Sequence, residues 1–389
     1  MKGMTQPLSS RRQFLTGTGA FNPQPHHEKP DQTQFMAQHG DGAGPASADR
    51  PPPIAPSLTY ESEWVTVSRT AMACQFEVLL PPGPPSHVAA ALSALDLVDA
   101  LEAQLTVYRD TSEVVRLNRH AAHRWVPVEA GLFDLLQLAK RLHTQTAGAF
   151  DITAGPLIKA WGFFKRAGNL PEPRALEEAR QRVGSHFILL DEAARAVRFD
   201  REGVEINLGA IGKGYALDRA RKLLEERGVP EFLLHGGRSS VLARVAKDGV
   251  QADQAGWLIG VRHPLFPHRR LAEVRLCNQA LGTSGSGVQF FRHEGKRYGH
   301  ILDPRTGWPA EGVYSATVVA PTAAEADALS TAFYILGPDA AADYCRSHPG
   351  VGMLLVACAE DGVELHAEGL LPGQWRLLDD GARLAARTQ

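Results

Sequence analysis

The sequence predicts an α+β fold with mixed, largely antiparallel sheets and packed helices. Strand-like and helix-like segments come in clusters along the chain rather than in strict alternation, which favours antiparallel sheets over a doubly wound parallel sheet. The chain has 389 residues, 44% hydrophobic and 22% charged, an ordinary globular composition. No repeat of fixed period is visible.

The first predicted elements are a hairpin and three helices. Two β-rich runs around a short bend, in EWVTVSRTAMACQFEVLL (63–80), predict the hairpin. Apolar residues at helical spacing predict helices in SHVAAALSALDLVDALEAQL (86–105) and GLFDLLQLAKRLHTQTAG (131–148). A short third helix is predicted in EEARQRVG (177–184).

Strands dominate the following elements. The predicted strands lie in FILLDEAARAVRFD (187–200), GVEINLG (203–209), EFLLHGG (231–237), SVLARV (240–245), GWLIGVRHP (256–264) and YSATVVAP (314–321). YALDRARKLLEERG (215–228) and AAEADALSTAFYILG (323–337) read as helices that end at Gly228 and Gly337. GVGMLLVA and GVELHAE predict a terminal hairpin.

The N-terminal segment differs in composition from the rest. Residues 1–57 are rich in Pro, Gln, His, Gly and Asp, which predicts a disordered leader before a domain at 58–389. SRRQFL (10–15) is typical of a twin-arginine export signal, but no apolar core segment follows it. Periplasmic export is therefore left open.

Composition excludes several classes of partner. The net charge is −2, from 41 basic and 43 acidic residues, and without a basic stripe nucleic acid is not expected. No run of 18 apolar residues exists, so no membrane span is expected. Four single cysteines lack zinc spacing, so we expect buried free thiols.

A glycine-rich segment, EINLGAIGKGYALDRA (205–220), is the first candidate site. It is not a phosphate loop, because Gly214 follows Lys213 where Ser or Thr should hold magnesium. Its GxxGxG order also reverses the dinucleotide fingerprint. Two interpretations remain, a loop whose glycines let the backbone approach an anionic ligand, and a plain strand-to-helix turn.

Five further segments change that balance. They are GAFDITAGPLIKAWGFF (148–164), HGGRSSVLA (235–243), LGTSGSGVQFF (281–291), YGHILDPRTGWP (298–309) and APTAAEADALSTAFYILG (320–337). With NLGAIGKGYALD, this ordered series resembles the ApbE family of FAD:protein FMN transferases from about Met72 to Gly337. The resemblance implies a T-fold-like α+β domain, FAD as substrate, Mg²⁺ and a target flavoprotein with an acceptor Ser or Thr.

The predicted metal site combines helix residues with the glycine segment. Asp327, Ser330 and Thr331 lie three and four residues apart, so they share one helix face. Carboxylate and hydroxyl oxygens suit magnesium rather than zinc. The resemblance places metal ligands at these three residues and at the Ala210 carbonyl. The alternative is a solvated first helical turn.

The resemblance also implies a set of FAD contacts. It assigns them to Met72, Tyr108, Ala149, Phe150, Asp151, Asn207, Lys213, Thr283, Ser284, His300 and Ile301. Several have structural alternatives. Asp151 can cap a turn, Met72 and Tyr108 can simply pack, and the Thr283–Gly285 segment can be a polar turn.

His300 and Asp327 are the predicted catalytic residues. Histidine can take a proton from an attacking hydroxyl, whereas Asp303 in the same segment can equally close a turn around Pro304 and Gly307. Two departures from the family pattern are Asn207, where Asp is commoner, and Ala73-Cys74 after Met72, where Gly-Thr is usual.

Two other functions remain open from the sequence. A magnesium-dependent FAD pyrophosphatase would use the same site with water as the acceptor. A non-catalytic FAD-binding protein would have no need of the metal ligands.

Overall fold

The structure is a computed structural model that describes residues 13–14, 57–61, 64–165, 167–246, 256–285, 287, 289–359, 362–379 and 383–384. The α-helices are α1 (Pro85–Leu105), α2 (Glu113–His120), α3 (Ala130–Gln145), α4 (Gly155–Ala160), α5 (Pro173–Arg180), α6 (Gly212–Glu226), α7 (Ala323–Leu336) and α8 (Pro338–Ser347). Two short 3₁₀ turns cover Phe163–Lys165 and Ser185–Phe187. Within the described residues, no helix is long and apolar enough to cross a membrane.

The strands are mostly short and mostly antiparallel. They are β1 (Gln13–Phe14), β2 (Ser57–Glu61), β3 (Trp64–Ala71), β4 (Cys74–Leu80), β5 (Val126–Pro127), β6 (Ile188–Asp191), β7 (Ala196–Phe199), β8 (Phe232–Gly236), β9 (Ser240–Arg244), β10 (Trp257–Arg262), β11 (Arg270–Leu276), β12 (Ala280–Gly285), β13 (Phe290–His293), β14 (Lys296–Gly299), β15 (Val313–Ala320), β16 (Gly352–Ala359), β17 (Gly362–Glu368), β18 (Trp375–Leu377) and β19 (Arg383–Leu384).

A ten-stranded sheet forms the centre of the molecule, in the order β19-β17-β16-β15-β12-β9-β8-β4-β3-β2. Side chains alternate between its two faces. One face packs against the helices, with Phe76 and Val78 of β4 in that core. The other face packs against a four-stranded sheet, β1-β10-β11-β18, with Leu79 in the second core. The sheet is therefore covered on both sides, by helices and by a second sheet.

Helix α7 lies deep in the helical layer. Ten of its 14 residues are buried, as expected for a helix that is apolar nearly all round. Thr322 caps its first turn by accepting from the Glu325 N–H at 3.2 Å. The half-buried carboxylate of Asp218, on α6, accepts from the Ala323 and Ala324 N–H groups at 2.9 Å, which ties α6 to the start of α7.

A two-stranded ribbon, β13–β14, stands apart from the larger sheets. Phe291 and Tyr298, paired across it, stack at 5.2 Å between ring centroids. Both rings contact Trp161, which is fully buried after α4. These contacts fasten one face of the ribbon to a small separate core.

The α+β class and the antiparallel preference are confirmed, and so are most predicted elements. The 63–80 hairpin turns at Met72 and Ala73, both with positive φ, and the terminal hairpin forms as β16–β17. The short helix predicted at 177–184 instead spans 173–180 as α5.

The strand predicted at 203–209 is wrong. The Asn118 side chain occupies the place of a neighbouring strand there, because its amide bonds both the N–H and the C=O of Ile206, at 2.8 and 3.0 Å. Only an isolated bridge from Glu205 to Ala154 remains. The turn considered for 283–285 is also wrong, since these residues end β12.

Two other expectations have mixed outcomes. The four cysteines are free, but only Cys345 is buried, and Cys277 and Cys358 are exposed. Most of the predicted leader and its export signal lies outside the described residues. Within it, Gln13 and Phe14 pair in parallel with β10.

Candidate active site

A cavity of about 810 Å³ lies where the glycine segment, β12 and α7 meet. That volume is within the range of small-molecule sites. The predicted site residues that line it are Tyr108, Ala149, Phe150, Asp151, Asn207, Ala210, Lys213, Thr283, Ser284, His300, Ile301, Asp327, Ser330 and Thr331. The fold thus brings together segments that are far apart in sequence.

Asp327 is the buried carboxylate of the cavity. Its side chain is 6% exposed, and its Oδ2 accepts from the Gly214 N–H at 2.7 Å, at the start of α6. The Lys213 ammonium lies 3.8 Å from the same oxygen. Burial raises the pKa of Asp327, and Lys213 and the Gly214 N–H offset only part of that rise. A bound cation would stabilise the ionised form further.

Three hydroxyls lie side by side near Asp327. Ser284 Oγ, at the end of β12, is 2.8 Å from Ser330 Oγ and 3.0 Å from Thr331 Oγ1. In each pair either oxygen can donate, so the hydroxyls can reorient their lone pairs together. The predicted face of Asp327, Ser330 and Thr331 therefore exists, and Ser284 extends it from a neighbouring strand.

These groups fit a hard divalent cation. Among the described residues, no cluster of three or more His, Cys, Asp and Glu side chains can hold a metal. A cation here would depend on one carboxylate, hydroxyl oxygens and the Ala210 carbonyl. Such a sparse oxygen set suits magnesium, which keeps waters and substrate phosphates in its shell.

The glycine segment serves both packing and the cavity. A Cβ on Gly214 would lie 2.0 Å from the Ala323 carbonyl oxygen, so glycine is needed there for α6 to approach α7. Gly209 and Ala210 line the cavity at the N-terminus of α6. Asn207 closes the preceding turn, because its Oδ1 accepts from the Gly209 N–H at 2.9 Å. The segment is therefore more than a plain turn.

Asp151 lines the cavity but is held by the protein itself. Its carboxylate accepts from the Thr153 N–H and Oγ1 at 2.8 and 2.6 Å, and from the Ser185 N–H and Oγ at 3.0 and 2.7 Å. His143 Nδ1 lies 3.1 Å away. Burial would raise the pKa of Asp151, but these partners hold it below its usual value. The turn-capping alternative is thus confirmed, and a FAD contact by its carboxylate stays a prediction.

His300 is placed to act as a base. Its Nδ1 lies 3.0 Å from the Gln289 carbonyl oxygen. Because a carbonyl only accepts, Nδ1 carries the proton and Nε2 keeps a free lone pair in the neutral ring. Burial lowers the pKa of His300, partly opposed by the bond to Gln289, so the ring is neutral near pH 7. Asp303 instead closes its turn, accepting from the Gly307 N–H through its carbonyl at 2.8 Å.

Two predicted contacts differ in their placement. Tyr108 lies at the cavity, 66% exposed, with its ring 4.9 Å from that of Phe164. Met72, at the β3–β4 turn, is not among the residues lining the cavity and packs against the helical core. Its contact with FAD stays a prediction.

Two arginines, Arg238 and Arg262, also line the cavity and were not predicted as site residues. Arg238 lies in the β8–β9 turn with φ 61, and Arg262 ends β10. A left-handed backbone at a non-glycine residue is unusual. HGGRSSVLA belongs to the ordered series of segments, and only the turn geometry reveals that Arg238 faces the cavity.

The residues of the cavity agree with the family to which the chain is similar. A buried carboxylate, a lysine and clustered hydroxyls in one cavity suit a phosphate-bearing ligand held with a cation. The model of the ApbE family matches residues 70–355, and the chain belongs to that family.

Relatives and solved structures extend the similarity. The FAD:protein FMN transferase of Treponema pallidum is 33% identical over 288 residues, 70% of this chain and 78% of that protein. One from Klebsiella pneumoniae is 30% identical over 271 residues, 68% of this chain and 76% of that protein. The crystal structure of the ApbE protein from Thermotoga maritima is 30% identical, with a TM-score of 0.69, over 78% of this chain and 97% of that one.

Proposed function

We propose that this protein is an enzyme that transfers FMN from FAD to a Ser or Thr hydroxyl of a target flavoprotein and releases AMP. The observation that carries the proposal is Asp327, a buried carboxylate beside Lys213 and three clustered hydroxyls in a nucleotide-sized cavity. Membership of the ApbE family, whose relatives bear the name FAD:protein FMN transferase, supports it.

The reaction requires one bond to form and one to break. The acceptor oxygen bonds to the FMN-side phosphorus of FAD, and the bond from that phosphorus to the bridging oxygen of AMP breaks. The hydroxyl proton leaves with a base, and AMP carries away the bridging oxygen. Because little covalent chemistry falls to the protein, positioning and charge supply most of the acceleration.

His300 is the residue suited to take the proton. The Gln289 carbonyl fixes the ring so that Nε2 is the accepting nitrogen, and burial keeps the ring neutral. A general base of this kind contributes roughly 10²–10⁴-fold.

Lys213 and the hydroxyl cluster are suited to hold the central diphosphate of FAD. Lys213 supplies a point charge at the N-terminus of α6, where backbone N–H groups favour anions. Asp327, Ser330, Thr331 and the Ala210 carbonyl would hold Mg²⁺, which when bound neutralises charge on the phosphates.

One experiment separates transfer from the other two functions. The protein is incubated with FAD, magnesium and the flavin-free form of a flavoprotein domain that carries FMN on a threonine. We expect the acceptor to gain the mass of FMN less one water, with one AMP released per acceptor modified. AMP and free FMN at the same rate without the acceptor would indicate a pyrophosphatase. Bound FAD with no AMP would indicate a carrier, and either result would refute the proposal.

A further inference from the structure

The β13–β14 ribbon carries a concentration of positive charge. Residues 290–299 read FFRHEGKRYG, with Arg292, Lys296 and Arg297 against a single acidic residue, Glu294. All four charged side chains are exposed. Lys296 has an external partner, Glu311, at 3.0 Å, whereas Arg292 forms no ion pair within the described residues and donates only to the Gly295 carbonyl, at 3.4 Å.

The ribbon has two unlike faces. Phe291 and Tyr298 fasten the inner face to Trp161. Arg292 and Arg297 are directly opposite each other, and Phe290, two residues before Arg292, shares their face. Phe290 is 42% exposed, and the Arg297 guanidinium lies 4.0 Å from its ring centroid.

This outer face combines like charges with exposed apolar surface. Arg292 and Arg297 lie opposite each other, and like charges in that position repel, while Phe290 is 42% exposed. An anionic surface laid across both arginines would replace their repulsion with charge-assisted hydrogen bonds. It would also bury Phe290, and an aromatic ring beside arginine is a frequent anchor of protein interfaces.

The position of the ribbon identifies the partner. Gln289 and His300, which immediately precede and follow the ribbon, both line the cavity. If His300 takes the acceptor proton, the acceptor oxygen must come within hydrogen-bond distance of its ring. The chain that carries that oxygen then has to pass beside the ribbon.

We infer that the outer face of the ribbon, formed by Phe290, Arg292 and Arg297, is a docking surface for an acidic patch of the acceptor protein beside its acceptor hydroxyl. This inference rests on the proposed function, since it needs a protein acceptor. The ribbon steers that acceptor to the cavity, and it takes no part in binding FAD.

The test is the charge-reversed pair Arg292→Glu with Arg297→Glu. Steady-state transfer to the flavin-free threonine acceptor domain is measured, and FAD affinity is followed separately by flavin fluorescence. We expect the KM for the acceptor to rise at least about tenfold, with kcat at saturating acceptor and FAD affinity unchanged. The salt dependence of kcat/KM should also weaken or reverse, because rim charges act through long-range attraction.

Two control pairs make the result specific. Arg292→Lys with Arg297→Lys keeps the charge and should restore most of the acceptor kcat/KM. Lys222→Glu with Arg227→Glu reverses two exposed charges on and just after α6, outside the cavity lining, and should leave the KM for the acceptor unchanged. Melting temperature checks that each variant is folded.

The outcomes separate the docking surface from the proposed function. Normal transfer with an unchanged acceptor KM in the charge-reversed pair would overturn the docking surface alone. An equal rise of the acceptor KM in Lys222→Glu with Arg227→Glu would overturn the docking surface as well. The KM would then depend on the net charge of the protein and not on the ribbon. Absence of transfer by the wild-type protein would refute the proposed function. Acceptor binding without FAD, measured by fluorescence anisotropy, would then test the ribbon independently, and equal affinity of wild type and reversed pair would overturn it.

Discussion

At the scale of single residues, the surroundings of Asp327 stabilise a charge, whereas those of His300 fix a tautomer. Asp327 is buried, with the Lys213 ammonium 3.8 Å away and the Gly214 N–H on its Oδ2. A buried carboxylate is costly to ionise, and these two groups partly stabilise the ionised form that a metal requires. His300 is fixed by a carbonyl, so its tautomer is set before any substrate arrives. Both side chains thus depend on backbone groups supplied by other elements.

Replacement of His300 tests its role as a base. His300→Gln should lower kcat by about 10²-fold or more. Because the folded pKa of His300 lies below its ordinary value, the wild-type rate should be level above about pH 6.5 and fall as the ring protonates at lower pH. Transfer assays across pH measure this. The exposed His120→Gln variant serves as control, and an unchanged rate and profile in His300→Gln would exclude the role.

At the scale of elements, the site depends on how closely α6, β12 and α7 approach. Gly214 lies against the backbone of α7 at Ala323, and Gly282 of β12 lies against it at Ala326. These two contacts set the position of the helix that carries Asp327, Ser330 and Thr331.

A methyl group at these glycines should push the elements apart. Gly282→Ala would place a Cβ 2.4 Å from the Ala326 carbonyl oxygen, and we expect a loss of about 1–3 kcal/mol in the free energy of unfolding. Gly214→Ala should behave alike. Gly212→Ala is the matched control, because its nearest neighbour would be 3.9 Å away, and its effect should be small. Urea unfolding measures all three, and equal stabilities would contradict this packing.

Elements with a strong period were predictable from sequence, and those held by tertiary contacts were not. The 86–105 and 323–337 helices follow from apolar spacing, and the 63–80 hairpin from two β-rich runs. The expected strand at 203–209 fails because the Asn118 amide, remote in sequence, takes the backbone partners of Ile206. The β13–β14 ribbon was missed because its strands, FFRH and KRYG, are rich in charged residues, are largely exposed and show no alternation of apolar and polar residues.

The candidate site was predictable as a set of residues but not as an arrangement. Most residues that line the cavity belong to the ordered segments. The shared helix face of Asp327, Ser330 and Thr331 also followed from their spacing. Nothing local indicates that Ser185 also donates to Asp151, or that Arg238 faces the cavity from a left-handed turn. Those facts require the contacts between distant segments.

At the scale of the whole molecule, the cavity spans several layers of the fold. Its wall includes α7 from the helical layer, β12 from the ten-stranded sheet and Gly260 and Arg262 from the second sheet. Global unfolding therefore destroys the site, and a ligand that fills the cavity should stabilise the entire fold through binding linkage.

Thermal unfolding should report this linkage without any reaction. FAD with magnesium should raise the melting temperature more than FAD alone, and a ligand at 100 times its Kd contributes about 2.7 kcal/mol. In Asp327→Asn the increment due to magnesium should vanish, whereas in the exposed α3 variant Asp134→Asn it should persist. The same increment in Asp327→Asn and wild type would contradict a magnesium site at Asp327.

The most direct test of the account is magnesium-dependent flavinylation by Asp327→Ala, read as in-gel flavin fluorescence of the threonine acceptor domain. Asp134→Ala, an exposed carboxylate on α3, is the matched control. We expect that Asp327→Ala remains folded but transfers no detectable FMN, while Asp134→Ala matches the wild type. Acceptor fluorescence at the wild-type rate with Asp327→Ala would contradict it.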